Sequence, residues 1–195
     1  MAREMNVEHS IEDLEIQQND YIEKLILKLE KNNLSEQFFA DLALYKKEKY
    51  RRNFIKAFAI ANDLNEKSIS DWAFFGGFAV LFHLANKISL KEAIKYRGCS
   101  DIDIIVNNSK LSPTWLKTAY DIPVGTLYPC KKFFDYDIDF NKIVKFNFYS
   151  IEIPTISLDD LINLKKQAIA ESVRKEKHLR DLRLLNEYLN LNLGL

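Results

Sequence analysis

The sequence predicts an α+β fold: a small β-sheet flanked by helices, preceded by an N-terminal helical segment and followed by C-terminal helices. Three observations lead there. The first glycine is Gly76 and the first proline Pro113, so nothing interrupts the apolar periodicity of the first third of the chain. Between 71 and 155, short runs rich in Ile, Val, Phe and Tyr alternate with turn residues. From Ser157 onward the helical spacing of Leu and Ile returns. The expected division is an N-terminal helical segment over 1–70, an α/β core over 71–156 and C-terminal helices over 157–195 that complete the site.

The elements follow in order. Ser10 is positioned to cap a first helix, with Ile11, Leu14, Tyr21, Leu25 and Leu29 on one face to about Lys31. After Asn32-Asn33, Ser35 caps a second helix expected to run unbroken to about Asn62. It carries Tyr45-Lys46-Lys47-Glu48-Lys49-Tyr50-Arg51-Arg52, a basic run interleaved with Tyr. Such a run either tracks phosphates or is a solvated helix face. Asp71–Phe75 reads as a buried strand, Gly76-Gly77 as a turn and Phe78–Leu84 as a helix, with Lys87–Arg97 as a polar, basic connection. Asp101–Val106 reads as a strand, and Pro113 sits near the start of a short helix anchored by Trp115. Val124–Cys130, Phe133–Phe140, Ile143–Tyr149 and Ile151–Thr155 read as further strands. Ser157 caps a helix to about Ser172, and Leu179, Leu182, Leu185 and Leu189 mark a last one over about Lys175–Asn190.

The 195 residues, 47% hydrophobic and 29% charged, suffice for one core. Lys+Arg 28 equals Asp+Glu 28, so any basic surface is local. No stretch approaches the ~18–20 apolar residues of a membrane span, and Met1–Ser10 lacks a signal-peptide core. Cys99 and Cys130 make no disulfide framework, and with three scattered histidines they make no zinc site. The expectation is a cytoplasmic protein that makes no contact with membranes.

The chemistry concentrates in Ala73–Val106. A strand, a Gly-Gly step and a helix place backbone N–H groups and a helix N-terminus beside a bound anion. Asp101 and Asp103, two apart on a strand, put both carboxylates on one side. Like charges so placed call for a cation between them. Mg²⁺ fits, because it is usually held by one or two carboxylates together with substrate phosphates. A third acid from a neighbouring strand would complete a two-metal arrangement. Asp137 is the choice, with Asp139 and Asp135 as alternates. The competing reading is that these three acids are the solvated face of an edge strand.

Phe75-Gly76-Gly77-Phe78-Ala79, Arg97 and Ser100-Asp101-Ile102-Asp103-Ile104 together resemble the signature of the DNA polymerase beta-like nucleotidyltransferase superfamily. Ser157-Leu158-Asp159-Asp160-Leu161-Ile162-Asn163-Leu164-Lys165 and Lys177-His178-Leu179-Arg180-Asp181-Leu182 resemble its minimal, AbiEii-type toxin branch. The resemblance spans roughly Trp72 to Leu185 and implies a mixed sheet of the nucleotidyltransferase type. It implies that Gly76 and Gly77 bind triphosphate through backbone, with Arg97 and Ser100 nearby, and that Asp101, Asp103 and Asp137 hold Mg²⁺. It further implies that Lys165 neutralises phosphate charge and that Asp181 supports Lys165. The sequence departs from the pattern at Gly77, where Ser is common, at Cys99, in a Thr position, and at His178, in an Asp position.

The function so implied is transfer of a nucleoside monophosphate from an NTP to an acceptor hydroxyl. The acceptor would be an RNA 3′ end such as that of tRNA, or a protein. The setting would be a toxin or defence system with an antitoxin partner. Two alternatives stand beside it: a catalytically inactive module of the same fold that binds a protein or RNA, and a structural α+β protein whose acids only solubilise a sheet edge.

Overall fold

A computed structural model describes residues 11–32, 34, 36–107, 113–120, 127–129, 138–171, 173–191 and 193–194. The fold is α+β. Helices α1 (Ile11–Lys31), α2 (Glu36–Leu42) and α3 (Glu48–Glu66) precede strand β1 (Trp72–Phe74). Helices α4 (Gly76–Ile88) and α5 (Leu90–Tyr96) lead to β2 (Ile104–Val106), α6 (Pro113–Tyr120) and β3 (Leu127–Pro129). Strands β4 (Val144–Phe148) and β5 (Ile151–Thr155) form a hairpin, and α7 (Leu158–Ala170) and α8 (Lys175–Leu189) close the chain.

The five strands form one mixed sheet in the order β3-β2-β1-β5-β4. β1 lies at its centre, antiparallel to β2 and parallel to β5. β3 runs parallel to β2 at one edge, and β4 runs antiparallel to β5 at the other. Aromatic side chains fill the space between sheet and helices. Phe74 of β1 packs its ring on Phe78 and Phe82 of α4, and Phe82 stacks on Phe148 of β4. From the other elements, Phe38, Phe54 and Phe58 pack on one another and are fully buried. Helix α4 is buried from Gly77 to Ala85, on all sides, as expected of a helix that is apolar all round. Its histidine, His83, bonds through Nε2 to the Ile156 carbonyl at 2.9 Å, and burial lowers its pKa; it is a satisfied core residue. No helix among the described residues is long and apolar enough to cross a membrane.

Four sequence expectations change. The helix expected over 35–62 is two helices, α2 and α3, separated by a bend at 43–47. Phe38 and Phe54 explain the bend. Sixteen residues apart on a straight helix they would stand about 24 Å apart, yet their rings stack at 5.6 Å, so the chain must turn back between them. The basic Tyr run therefore spans a corner and the start of α3, with Lys46, Lys47, Lys49 and Arg51 exposed and Tyr45 buried. The connection expected over Lys87–Arg97 contains α5, whose Leu90, Ala93 and Ile94 are buried; Ser89 caps it by accepting from the Glu92 N–H. The β2 ladder begins at Ile104, so Asp101 and Asp103 lie on the irregular approach to the strand. The strand expected over Phe133–Phe140 fails at its described end. Ile138 and Asp139 belong to no strand, and Phe140–Lys142 is a 3-10 turn capped by the Asp139 carboxylate, which accepts from the Asn141 N–H at 3.0 Å.

Candidate active site

The Gly-Gly step and the acid pair meet because β1 and β2 are neighbours. The main-chain N–H of Phe75 donates to the Asp103 carbonyl at 3.1 Å, extending the antiparallel pairing beyond the strands. This lays the Asp103 side chain on the first residue of α4. Gly76 has φ +62°, and a Cβ there would run into Asp103 Oδ2. Both its backbone conformation and its missing side chain are therefore used. One residue on, a Cβ at Gly77 would come within 3.0 Å of Arg97 Nη2, so the guanidinium lies close against that turn of α4.

Asp101 and Asp103 differ in surroundings. Burial raises the Asp103 carboxyl, the negative charge of Asp101 raises it further, and its pKa reaches about 6. At Asp101, partial burial pushes upward, but the Ser100 hydroxyl, 2.9 Å away, and the Lys177 ammonium outweigh it; its pKa falls below the ordinary carboxylate value. Lys177 Nζ lies 3.4 Å and Arg174 Nη1 3.8 Å from the same oxygen, Oδ2. The positive charge of Lys49, at the start of α3, also acts on Asp101.

Behind the acids lies a buried charge trio. Lys165 Nζ of α7 bonds to Asp181 Oδ2 of α8 at 2.6 Å. Arg97 bonds to the same oxygen through Nη2 at 3.2 Å, and its Nε lies 2.9 Å from Oδ1 as an ion pair, not an aligned hydrogen bond. Exposures are 3% for Lys165, 3% for Arg97 and 0% for Asp181. Burial pushes Asp181 up, but Lys165 and Arg97 together hold its pKa below the usual value. Burial pulls Lys165 below its ordinary value, and Asp181 offsets that only in part. Lys165 and Arg97 are thus buried cations, not surface ones.

The approach loop is held from below by α3. The Tyr50 ring occupies the space that a Cβ at Gly98 would need, and Asn53 Nδ2 donates to the Cys99 carbonyl at 3.1 Å. Cys99 is buried, its thiol pushed up to about 12 by that burial, so it takes no part as a thiolate at neutral pH.

Of the residues the sequence nominated, Gly76, Gly77, Arg97, Ser100, Asp101, Asp103, Lys165 and Asp181 are linked by these contacts into one region. Asp137 and Asp135 lie outside the described residues. Asp139 spends its carboxylate on the 3-10 turn and on Lys142 at 3.5 Å, with its side chain 39% exposed. Among the described residues, no three His, Cys, Asp or Glu side chains form a metal-holding group. The donor set itself fits a hard divalent cation: two carboxylates, of which Asp103 is raised to about 6 by burial and then by the nearby Asp101 charge, a repulsion that a bound cation would relieve.

Arg174 and the Tyr50–Gly98 contact escaped the sequence reading, while Lys49 entered it only within the basic Tyr run and Lys177 only within a longer motif. A signal existed for Lys177, which lies four residues before Asp181 and so shares its helix face. Comparison with protein-family models, with curated proteins and with solved structures returned no match.

Proposed function

We propose that the protein is a Mg²⁺-dependent nucleotidyltransferase that moves a nucleoside monophosphate from an NTP to an acceptor hydroxyl, with diphosphate as the leaving group. The observation that carries this reading is the contact of the Asp103 carboxylate with Gly76, the residue that opens α4. It joins an acid pair suited to a divalent cation to a helix N-terminus suited to phosphate.

In this reading Asp101 and Asp103 hold Mg²⁺, with Asp137 as the proposed third ligand. The ion, when bound, supplies charge neutralisation on the transferring phosphoryl group and on the leaving diphosphate. The first N–H groups of α4, at Gly76 and Gly77, face the triphosphate. Ser100 orients Asp101. Arg97 and Lys165, fixed by Asp181, keep positive charge behind the turn, so the site attracts an anionic substrate before any chemistry begins. Catalysis is then chiefly positioning and electrostatic stabilisation. The acceptor is an RNA 3′ end or a protein hydroxyl.

Purified protein incubated with α-labelled NTPs, Mg²⁺ and total RNA should release diphosphate and label a macromolecule. Asp103→Asn should abolish both. Equal labelling by wild type and by Asp103→Asn would refute the assignment.

A second reading, a non-catalytic binding module of the same fold, is favoured by one observation: Lys165 is 3% exposed with its ammonium bonded to Asp181, as a purely structural lysine would be. Under that reading calorimetry detects no Mg²⁺–NTP binding, and a partner co-purifies through residues 1–62.

A further inference from the structure

The metal-binding reading of Asp101 leaves two side chains without a role. Lys177 and Arg174 stand at the start of α8, and both reach Asp101 Oδ2, at 3.4 and 3.8 Å. A carboxylate oxygen contacted by two cations is not free to hold a third. These are not the fixed contacts of a core. Asp101 is 39% exposed, Lys177 29% and Arg174 71% on the side chain. Ion pairs so open to water are weak and readily exchanged.

Their origin on the helix also matters. Arg174 has a left-handed backbone (φ 43°, ψ 43°) and is the residue from which α8 begins. Lys177 lies one turn further in, and Asp181 one turn beyond that, locked to Lys165 and Arg97. The buried trio thus anchors the helix, while its first turn holds two long, solvent-reaching cations over the acid pair. Lys and Arg side chains are long enough to change partner while the helix stays still.

Resting on the nucleotidyltransferase reading, we propose that Arg174 and Lys177 are exchangeable counterions. In the metal-free protein they neutralise Asp101. When a divalent cation takes Asp101 they turn to the phosphate oxygens of the incoming triphosphate. One pair of side chains thereby serves as placeholder for the metal and as ligand for the substrate. Repulsion within the acid pair is reduced when the site is empty, and cationic charge is delivered to the phosphates only when the metal is present.

The test uses two titrations of the full-length protein, because the two roles predict opposite signs. Binding of Mn²⁺ alone, followed by electron paramagnetic resonance, should tighten in Lys177→Met and in Arg174→Gln by about three- to tenfold, as loss of a competing and repelling cation implies. Binding of inorganic triphosphate in saturating Mg²⁺, followed by calorimetry, should weaken in the same variants by about tenfold, the loss of one charge-assisted phosphate contact. A merely structural role would weaken both or change neither. Arg174 is exposed enough that Arg174→Gln keeps the test valid should Lys177→Met misfold. Asp101→Asn separates the two levels of the argument. Mn²⁺ binding unaffected by Asp101→Asn would overturn the metal site itself. Mn²⁺ binding that needs Asp101 but is unchanged or weaker in Lys177→Met and Arg174→Gln would overturn only the counterion exchange.

Discussion

Two clusters of the same chemistry stand side by side in this protein, and they differ in water. In the buried trio one carboxylate, Asp181, is shared by Lys165 and Arg97 with exposures of 3% or less. In the open cluster one carboxylate, Asp101, is shared by Lys177 and Arg174 with side chains up to 71% exposed. Distances follow the same order: 2.6–3.2 Å within the trio, 3.4–3.8 Å at Asp101. Removing a partner from the first strands a charge in a place that cannot hydrate it; removing one from the second lets water in. The first cluster fixes the geometry of α7, α8 and the Arg97 turn. The second is open to water, and the proposed exchange of a metal and a phosphate at Asp101 depends on that openness.

The largest break in this comparison is Asp181→Asn, which leaves Lys165 and Arg97 without their shared anion. It should cost about 3–5 kcal/mol, read as a fall in the urea midpoint. Gly76→Ala comes next. The residue would be held at a positive φ with its methyl in the Asp103 carboxylate, for a loss of about 1–3 kcal/mol in the same experiment.

Asp103→Asn should act in the opposite direction. The folded-state pKa of Asp103, about 6, lies above its ordinary 3.8. Between about pH 4 and 6 the unfolded chain releases this proton while the folded one keeps it, so stability falls as pH rises through that window. The Asn variant should therefore be more stable than wild type at pH 7 by about 1–3 kcal/mol, a gap that closes below about pH 4. Thermal melts at the two pH values measure it. The smallest effect belongs to Lys177→Met, whose pair is open to solvent: its urea midpoint should move by no more than about 1 kcal/mol in stability.

The sequence carried the fold class because its punctuation is sparse. With no Gly or Pro ahead of Gly76, long helices were the only reading, and Ser157 with Asp160 announced α7, where the Ser157 hydroxyl does accept the Asp160 N–H at 3.1 Å. It misplaced the α2–α3 bend because that corner follows from Phe38 having to meet Phe54, a tertiary demand with no local breaker residue. It missed α5 although Ser89 and Glu92 form a capping pair there, because Lys87, Lys91, Lys95 and Arg97 gave the stretch the look of a solvated connection. The acids at 101 and 103 stood out by their spacing, but the strand expected to align them begins only at Ile104. Their unequal environments were not, since those depend on Gly76 from one side and α8 from the other. Arg174 could not be read at all: it reaches Asp101 from more than seventy residues away in the chain, through helix packing alone.

The account is tested most directly by anomalous diffraction from crystals grown with Mn²⁺. It predicts one strong peak in contact with both the Asp101 and Asp103 carboxylates, with Lys177 Nζ displaced from Asp101 Oδ2. A structure in saturating Mn²⁺ with no peak at that pair, and Lys177 still seated on Asp101, would contradict it.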